Sequence, residues 1–196
     1  MAARAGIAVY QSMLRAPVYG LWSGQMDLSN FMESFSDAIF TGLKGAWLEG
    51  AKEAGIGPDE LTDREISQMQ TDIFSQLAYI AGFANFIVSR SKANGGALAS
   101  VMPRMQMWVT RWNEFKTRGY MMAKQDQKMQ WNLGMVKTEH CGSCVKLSGK
   151  VKRASQWLAA DIYPKHRNLE CSGQNCNCTL DPTNAPMSKG RLPKIP

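Results

Sequence analysis

Cysteine is absent from the first 140 residues of this 196-residue chain, and the whole sequence contains only two histidines. Long hydrophobic runs are also missing, because the longest, from Leu77 to Val88, is well short of the roughly 20 residues that cross a bilayer. The first residues lack the apolar segment of a secretory signal peptide. We therefore expect no membrane contact, and synthesis in a reducing cytoplasm where thiols bind metals rather than pair.

Signatures of common catalytic sites are missing too. The sequence contains no G-x-S-x-G, no G-x-x-x-x-G-K-[ST] and no H-E-x-x-H motif. A catalytic zinc would keep one coordination position open beside a general base, yet residues 137–196 contain only four acidic residues. His140 adjoins the first cysteine and could bind a metal or support a ligand, whereas His166 lies in a basic loop; ordinary loop roles are expected for both. We predict that the protein is not an enzyme.

The chain does have a dense cysteine cluster, with five cysteines in 38 residues: Cys141, Cys144, Cys171, Cys176 and Cys178. Two thiols at C-x2-C spacing bind one metal ion from a tight turn, and ligands further along the chain complete the tetrahedron. The pattern predicts a closed structural Zn²⁺ site with Cys141 and Cys144 as ligands and Cys171 as the third. Either Cys176 or Cys178 is the fourth ligand. Disulfide bonds are the alternative use of these thiols.

Positive charge is concentrated in the same part of the chain. Residues 1–136 hold 13 basic and 12 acidic residues, whereas residues 137–196 hold 10 and 4. A basic surface of this kind suits the phosphates of a nucleic acid or an acidic partner surface. The other interpretation is that these charges only keep a loop-rich module in solution. The candidate nucleic-acid or partner contacts are Lys150, Lys152, Arg153, Lys165 and Arg167.

Apolar residues recur every three or four positions in three long segments, which predicts three long helices. The segments are 28–54, 62–93 and 97–131. Thr62 and Glu65 form a capping box that marks the start of the second helix. The third stripe weakens at Gly119, where a bend or a change of packing partner is expected. A shorter helix, interrupted at Pro17 and Gly20, precedes the three.

Beyond Gly134 the helical periodicity ends. The alternation from Gly149 to Ala154 predicts a short strand, residues 155–160 a helical turn or two, and Cys178–Leu180 a second strand paired with the first. From Asp181 onward the proline-rich chain is predicted to continue neither a helix nor a sheet, and to form an extended arm or a loose end.

These patterns predict a mainly α fold: an elongated bundle of long antiparallel helices, a small zinc-stapled β/loop module and an extended C-terminal arm. The corresponding domains are a long-helix domain over residues 1–133, a cysteine-rich, zinc-knuckle-like module over 134–181 and a proline-rich tail over 182–196. Because so small a module has little core of its own, we expect a bound metal to supply folding free energy that burial cannot.

The C-terminal third resembles a known protein family through a set of spaced residues. They are Thr138, Cys141, Cys144, Leu147, Gly149, Trp157, Cys176, Cys178, Leu180 and Pro182. In this order they are similar to the cysteine module of tailed-phage minor head proteins, the phage Mu F-like head morphogenesis family. The resemblance covers about residues 131–183.

The resemblance implies a non-enzymatic virion protein, made in the host cytoplasm and present in multiple copies per particle. It implies a place at the portal vertex or capsid interior, contact with the portal protein or the major capsid protein, and packaged DNA as a further partner. The expected role is head assembly or DNA packaging and ejection. The alternative function is a zinc-dependent nucleic-acid-binding module.

One position departs from the family pattern. Many members carry a histidine within an H-P-N-C-R-C sequence, whereas Gly173 stands at the corresponding position here and Cys171 lies two residues before it. The resemblance therefore implies that Cys171 replaces the histidine as a ligand. The choice between Cys176 and Cys178 stays open.

Overall fold

The computed structural model describes residues 2–135, 139–173 and 176–195 of the chain. It is mainly helical, with 61% helix and 6% strand, and it has a small three-stranded sheet and a cysteine cluster near the C-terminus, so the predicted mainly α class is confirmed. In chain order the elements are α1 Ala2–Ser23, α2 Leu28–Glu53, α3 Asp63–Leu77, α4 Ile80–Ser89, α5 Met102–Ala123, β1 Lys128–Asn132, α6 Gly142–Leu147, β2 Val151–Arg153, α7 Ala154–Ala159 and β3 Thr179–Pro182. Short 3-10 turns lie at Pro58–Glu60, Lys92–Asn94 and Leu98–Ser100.

The sequence signals for helix starts are confirmed. Oγ1 of Thr62 accepts a hydrogen bond from the Glu65 backbone N–H at 3.3 Å, and the Glu65 carboxylate accepts one from the Thr62 N–H at 2.9 Å, which completes the capping box before α3. The Asp27 carboxylate accepts from the Asn30 N–H at 2.8 Å at the start of α2. These contacts satisfy N–H groups that a first helical turn leaves unpaired.

The predicted interruption of the first helix is wrong. α1 continues through Pro17 and Gly20 to its end at Ser23. Leu14 and Val18, on either side of the proline, are both fully buried. Their packing offsets the backbone hydrogen bond that the proline cannot donate.

The other two long helices are shorter than predicted. The second is divided at Ala78–Tyr79 into α3 and α4. The third ends at Ala123 instead of Trp131, because Lys128–Asn132 forms a strand. The seven-residue spacing of Phe115, Met122 and Met129 continues past the helix end, which is why the apolar stripe suggested a longer helix.

That strand, β1, is the centre of the sheet, whose order is β2-β1-β3. Both neighbours are antiparallel to it, and Gln130 lies opposite Val151 in β2 and opposite Asp181 in β3. The predicted strand within residues 149–154 is confirmed as β2, and the predicted helical turns after it are confirmed as α7. The predicted pairing of Cys178–Leu180 with that strand is wrong, because β3 pairs with β1.

The expectation that no sheet continues beyond Asp181 is also wrong. β3 extends to Pro182, which lies opposite Met129. The strand is at the edge of the described sheet, where the N–H that proline lacks needs no partner on the open side.

The chain divides into two compact units. Unit 1 comprises Met1–Ala46 and Thr62–Trp112, and unit 2 comprises Trp47–Leu61 and Asn113–Pro196. The cysteine-rich segment therefore shares a unit with the second half of α5, with β1 and with the C-terminal residues.

The core of unit 1 is rich in aromatic side chains. The ring of Phe35 packs against Phe83 and Trp108 at centroid distances of 5.4 and 5.3 Å. Tyr10 of α1 packs over Gly42 of α2, where a Cβ would overlap the tyrosine ring. Side chains from α1, α2, α4 and α5 thus meet in one apolar interior.

The apolar stretch from Leu77 to Val88 is buried on one face only. Tyr79 and Val88 are 53% and 42% exposed. By length and composition alone, the stretch Asp63–Ser89, which comprises α3 and α4, could cross a membrane, with a mean hydropathy of 1.2 over an 18-residue window that is 28% buried. Core helices of globular proteins meet the same criteria. The buried residues of α4 are Ile80, Phe83, Ala84 and Ile87.

Unit 2 has a substantial core, contrary to the expectation for a small cysteine module. Trp131 and Trp157 are fully buried, and their ring centroids lie 5.8 Å apart. The Trp157 indole N–H donates to the Met129 carbonyl at 3.3 Å, which fastens α7 to β1. Met121 of α5 and Cys144 belong to the same apolar cluster. Burial therefore contributes to the stability of the segment that was expected to depend on a metal.

Two glycines allow the backbones of α2 and α5 to meet within unit 2. A Cβ at Gly119 would overlap the Trp47 carbonyl oxygen, and a Cβ at Gly50 would overlap the Lys116 carbonyl oxygen. α5 continues through Gly119 to Ala123, so the weakened stripe marks a close helix contact within a continuous helix.

The C-terminal residues lie along unit 2 instead of forming a loose end. The Ser188 N–H donates to the Val151 carbonyl at 3.0 Å. The Lys152 ammonium donates to the carbonyls of Ser188 and Gly190 at 2.7 and 2.6 Å. Leu192 and Ile195 pack against the apolar cluster.

Candidate metal centre

The five cysteines come together in unit 2 from separate segments. Cys141 is the N-cap of α6 and Cys144 lies in its first turn, so a short helix presents the C-x2-C pair. Cys171, Cys176 and Cys178 come from the chain that precedes β3. The sulfurs form two triads, Cys141–Cys144–Cys171 and Cys144–Cys176–Cys178, each with all sulfurs within 4.8 Å of one another. Cys144 belongs to both triads.

The sulfur separations suit metal coordination. The sulfurs of Cys144 and Cys176 lie 4.0 Å apart. Thiolates around a tetrahedral Zn²⁺, with bonds of about 2.3 Å, are about 3.8 Å from each other. A disulfide requires about 2.05 Å, and all five cysteines are free. The cluster can therefore hold a metal ion and contains no disulfide.

Hydrogen bonds lower the pKa values of two of the five thiols, Cys141 and Cys176. Burial opposes the ionisation of Cys141, but backbone hydrogen bonds from Cys144 and Cys171 outweigh it, so the pKa of Cys141 is lowered. A hydrogen bond from the Cys144 thiol, together with backbone bonds from Cys178 and Lys165, outweighs burial and lowers the pKa of Cys176 to about 5. Backbone N–H groups directed at sulfur also orient ligands around a bound metal.

The remaining thiols keep their protons more strongly than an ordinary cysteine. The pKa of Cys144 is raised because its thiol donates to Cys176 and because it is buried. Burial raises the pKa of Cys171 to about 12. The pKa of Cys178 is raised by burial and by the nearby charge of Cys176. A divalent cation would take the place of these protons, since thiols bind metals as thiolates.

Gly173 has a left-handed backbone conformation that favours glycine. Its φ of +74° follows a φ of +49° at Ser172, so the chain turns sharply after Cys171. A Cβ at Gly173 would overlap the Lys165 carbonyl oxygen, which leaves no room for a histidine. The thiol of Cys171 supplies a donor on the same turn.

Two further contacts fix the cysteine segments. The fully buried Ser143 accepts a hydrogen bond at Oγ from the Glu170 N–H at 3.1 Å, which joins α6 to the segment of Cys171. The Asn177 side-chain amide donates to the Met135 carbonyl at 2.7 Å. Because Gly134 has no side chain, its backbone can approach the Asn177 carbonyl closely. The geometry around the sulfurs is therefore supported by contacts from outside the cluster.

The two histidines have different surroundings. Nδ1 of His140 lies 3.8 Å from the sulfur of Cys178. His166 is 4% exposed, its ring packs against Tyr163 at a centroid distance of 4.4 Å, and Nε2 lies 3.6 Å from the Asp161 carboxylate. This contact joins His166 to the turn that follows α7. A histidine in a polar loop was a weak sequence signal for such an anchoring role.

The basic residues predicted to bind nucleic acid or a partner do not share one environment. Lys152 is 5% exposed, and the carbonyls of the C-terminal residues bind its ammonium. Arg153 donates to Asp126 from an exposed position. Lys150 and Lys165 are half-buried, and Arg167 is exposed. Lys152 therefore fastens the C-terminal residues to the sheet.

A cleft of about 430 Å³ adjoins the cysteine cluster. Lys116 and Tyr120 of α5 line one side of it, and Lys165, Cys178 and Asp181 contribute to the lining. Glu49 and Glu53 bind the Lys116 ammonium at 2.9 and 2.7 Å. The cleft had no signal in the sequence, because its walls come from segments far apart along the chain.

Comparison of the chain with protein-family models, with curated proteins and with solved structures found no match in any of the three. The resemblance to phage head proteins therefore rests on the spaced residues of the C-terminal third.

Proposed function

We propose that this protein is a non-enzymatic structural protein of a tailed-phage head, and that a structural Zn²⁺ stabilises its C-terminal unit. The observation that carries the proposal is the gathering of the other four cysteine sulfurs around Cys144, against an apolar core. Five thiols exceed the four ligands of a closed tetrahedral site, so no position is reserved for a substrate. The spaced residues within 131–183 support a role in head assembly or in DNA packaging and ejection.

We assign the ion to Cys141, Cys144, Cys171 and Cys176. The backbone N–H and the thiol of Cys171 donate hydrogen bonds to the Cys141 sulfur, and Cys176 lies 4.0 Å from Cys144. Cys178 is the fifth thiol, since its sulfur also faces His140. Bound Zn²⁺ would cross-link α6 to the chain before β3 and supply no reaction chemistry.

The proposed partners are the portal protein and the major capsid protein, with several copies of this chain at the portal vertex or capsid interior. The test is fractionation of purified particles, followed by co-expression of this chain with each partner and size-exclusion chromatography. We expect the chain in the particles and in a complex with one of the two proteins. Its absence from the particles would contradict the proposal.

Zn²⁺ itself is tested separately, by elemental analysis of protein purified without chelator. We expect about one zinc per chain, as a closed four-ligand site requires. Metal-free protein with two disulfides would exclude the zinc centre and leave the virion role to be decided by the particle experiment.

DNA binding is the second candidate function, favoured by the 10 basic against 4 acidic residues of 137–196. Its test is retention of duplex DNA at low salt and the slope of affinity against salt concentration. Joint replacement of Lys150 and Arg167 by alanine should weaken retention and reduce that slope. Lys152 is unsuitable for this test because it is buried. Lack of retention by the wild-type protein at low salt would exclude DNA as a partner.

A further inference from the structure

The near-balance of charge over residues 1–136 conceals an uneven distribution within unit 1. All acidic residues of unit 1 lie on α2, on α3 or at Asp27, directly before α2. Residues 73–112, which include α4 and the first half of α5, contain four basic residues and no acidic one. α1, which packs against α4, has no acidic residue either. The charged residues of this part of unit 1 are therefore all basic.

Two arginines of this region share one aromatic ring. The guanidinium carbon of Arg90 lies 4.0 Å from the centre of the Phe86 ring, and that of Arg104 lies 4.7 Å from it. Both arginines are exposed, whereas Phe86 is half-buried. Arg90 also donates one hydrogen bond to Oγ of Ser89 at 3.2 Å. Because a guanidinium has five N–H donors, stacking on the ring positions each arginine and leaves donors for a ligand.

The chain between the two arginines folds back onto the end of α4. The Asn94 side-chain amide donates to the Val88 carbonyl at 2.9 Å. Gly96 lies so close to Arg90 that a Cβ at Gly96 would overlap the Arg90 carbonyl oxygen. Backbone contacts therefore hold this loop, and Arg104 follows it in the first turn of α5. Two arginines that are positioned in advance lose less conformational entropy when a ligand binds.

The two charges are placed unfavourably unless an anion is bound. Their guanidinium carbons are at most about 9 Å apart, a separation comparable with the screening length in physiological salt, so the charges repel each other. Arg104 also lies at the N-terminal end of α5, where the helix dipole disfavours positive charge. Within the described ranges of the chain, neither guanidinium forms an ion pair with a carboxylate. A bound anion would offset both repulsions.

The chemistry of this site fits the phosphates of duplex DNA. A guanidinium binds a phosphate through two parallel N–H donors. Two guanidiniums at this separation can contact one phosphate from two sides, or neighbouring phosphates of one strand. Lys92, which is exposed in the turn after Arg90, adds a third positive charge. Duplex DNA presents a continuous row of negative charges, which suits a region without acidic residues.

We propose that Arg90 and Arg104, held on the ring of Phe86, bind the phosphate backbone of duplex DNA. The site belongs to unit 1 alone, so it is distinct from the basic residues within 137–196. It requires neither the Zn²⁺ centre nor the role in a phage head, and its failure would leave both of those proposals standing.

The test is fluorescence anisotropy of a short labelled duplex with the full chain, purified with Zn²⁺, over a range of salt concentrations. Joint replacement of Arg90→Gln and Arg104→Gln should weaken binding at low salt at least about tenfold, and should reduce the slope of log affinity against log salt by about 1–2. The matched control is Lys44→Gln with Arg64→Gln, which removes the same charge from exposed positions of α2 and α3. We expect its affinity to stay within about twofold of the wild type. Circular dichroism checks that each variant is folded.

Phe86→Leu separates the geometry of the site from its charge. Leucine keeps an apolar side chain at this half-buried position but removes the ring on which both guanidiniums stack. The net charge does not change. We expect the affinity to fall several-fold while the salt slope stays the same, because the arginines remain but are no longer held in place.

Three results would overturn the proposal. Equal losses in the arginine double variant and in the control would show that only net charge matters. DNA binding that is weakened by the joint replacement of Lys150 and Arg167, but not by that of Arg90 and Arg104, would leave the second candidate function and exclude this site. A wild-type chain that does not bind the duplex, even if it binds inorganic phosphate or vesicles containing phosphatidylserine, would exclude DNA as the occupant.

Discussion

The sulfur atoms of Cys144 and Cys176 lie 4.0 Å apart, although the two residues are 32 positions apart in the sequence. The Cys144 thiol donates a hydrogen bond to Cys176, so the pKa of Cys144 is raised while that of Cys176 is lowered to about 5. One proton thus lies between two sulfurs at roughly the spacing that a tetrahedral metal ion imposes. A cation that replaced this proton would join the two sulfur triads, which share Cys144.

Replacing Cys144 should affect metal binding more than replacing any other cysteine. Cys144 belongs to both sulfur triads, whereas Cys178 is the proposed surplus thiol. We expect Cys144→Ser to lose at least about 100-fold in Zn²⁺ affinity, and Cys178→Ser to retain one ion. Competition with a chromophoric chelator gives the affinities, and the spectrum of the Co²⁺-substituted protein counts the sulfur ligands. Equal losses in the two variants would contradict the ligand assignment.

Zn²⁺ binding should weaken as the pH falls and should release protons near neutral pH. The pKa values of Cys144 and Cys171 are raised, so both thiols carry protons there, whereas Cys176, with a pKa of about 5, is already ionised. Protons therefore compete with the ion for Cys144 and Cys171 at neutral pH, and for Cys176 only when the pH approaches 5. Calorimetry in buffers of different ionisation enthalpy measures the proton release. Zn²⁺ affinity that does not change with pH would argue against thiolate ligands.

Gly173→Ala should destabilise unit 2 more than Gly149→Ala. Both glycines have positive φ, +74° and +71°, so alanine costs each of them about 1 kcal/mol of backbone strain. Only at Gly173 does the new Cβ overlap backbone, the Lys165 carbonyl, whereas it meets open space at Gly149. We expect a total loss of about 2–4 kcal/mol for Gly173→Ala. Urea unfolding followed by tryptophan fluorescence measures both variants, and similar losses would show that the turn after Cys171 can relax.

Gly119→Ala should also destabilise unit 2, although alanine is the better helix former. The added Cβ would overlap the Trp47 carbonyl, and we expect a loss of roughly 2–3 kcal/mol. Gly45→Ala in α2 is the matched control, because its nearest neighbour, the Trp112 ring, lies at an ordinary 3.8 Å. That variant should gain up to about 1 kcal/mol from helix propensity. Thermal unfolding of the two proteins provides the comparison, and a stabilised Gly119→Ala would refute the close helix contact.

Removal of residues 187–196 should destabilise unit 2 through Lys152. The deletion takes away the carbonyls of Ser188 and Gly190 that bind the Lys152 ammonium. The deletion also removes the apolar contacts of Leu192 and Ile195 with the core of unit 2, so we expect a loss of about 2–4 kcal/mol. Lys152→Met in the shortened chain should recover part of it, because methionine needs no partner. Protection from proteolysis measures the effect, and an unchanged shortened chain would show that the C-terminal residues contribute nothing to stability.

The helices could be predicted from the sequence where local contacts decide them. The Thr62–Glu65 capping box and the buried stripes of α2 and α5 depend on residues three or four positions apart. The strand β1 could not be predicted from local contacts. Met122 and Met129 are seven positions apart, two helical turns, so a helix explains them as well as a strand does. The choice is made by pairing with Val151 and Asp181, which are distant in sequence.

The cysteine cluster, too, could be predicted from the sequence only in part. The C-x2-C spacing predicted that Cys141 and Cys144 act together, because a short turn brings them close. The proximity of Cys176 to Cys144 could not be predicted in this way, because the two residues are 32 positions apart and no short turn joins them. The C-terminal residues gave no periodic signal, since they bind the sheet mainly through backbone carbonyls and one serine.

The order of the strands has a consequence for the timing of synthesis. The central strand, β1, leaves the ribosome before either neighbour, and its second partner, β3, begins at Thr179, long after β1 ends at Asn132. Until β3 has been made, one edge of β1 has no partner strand, and neither Cys176 nor Cys178 can contact Cys144. We therefore expect the cysteine cluster to bind a metal ion only after β3 has been made, and the zinc content of nascent chains of increasing length would report when unit 2 forms.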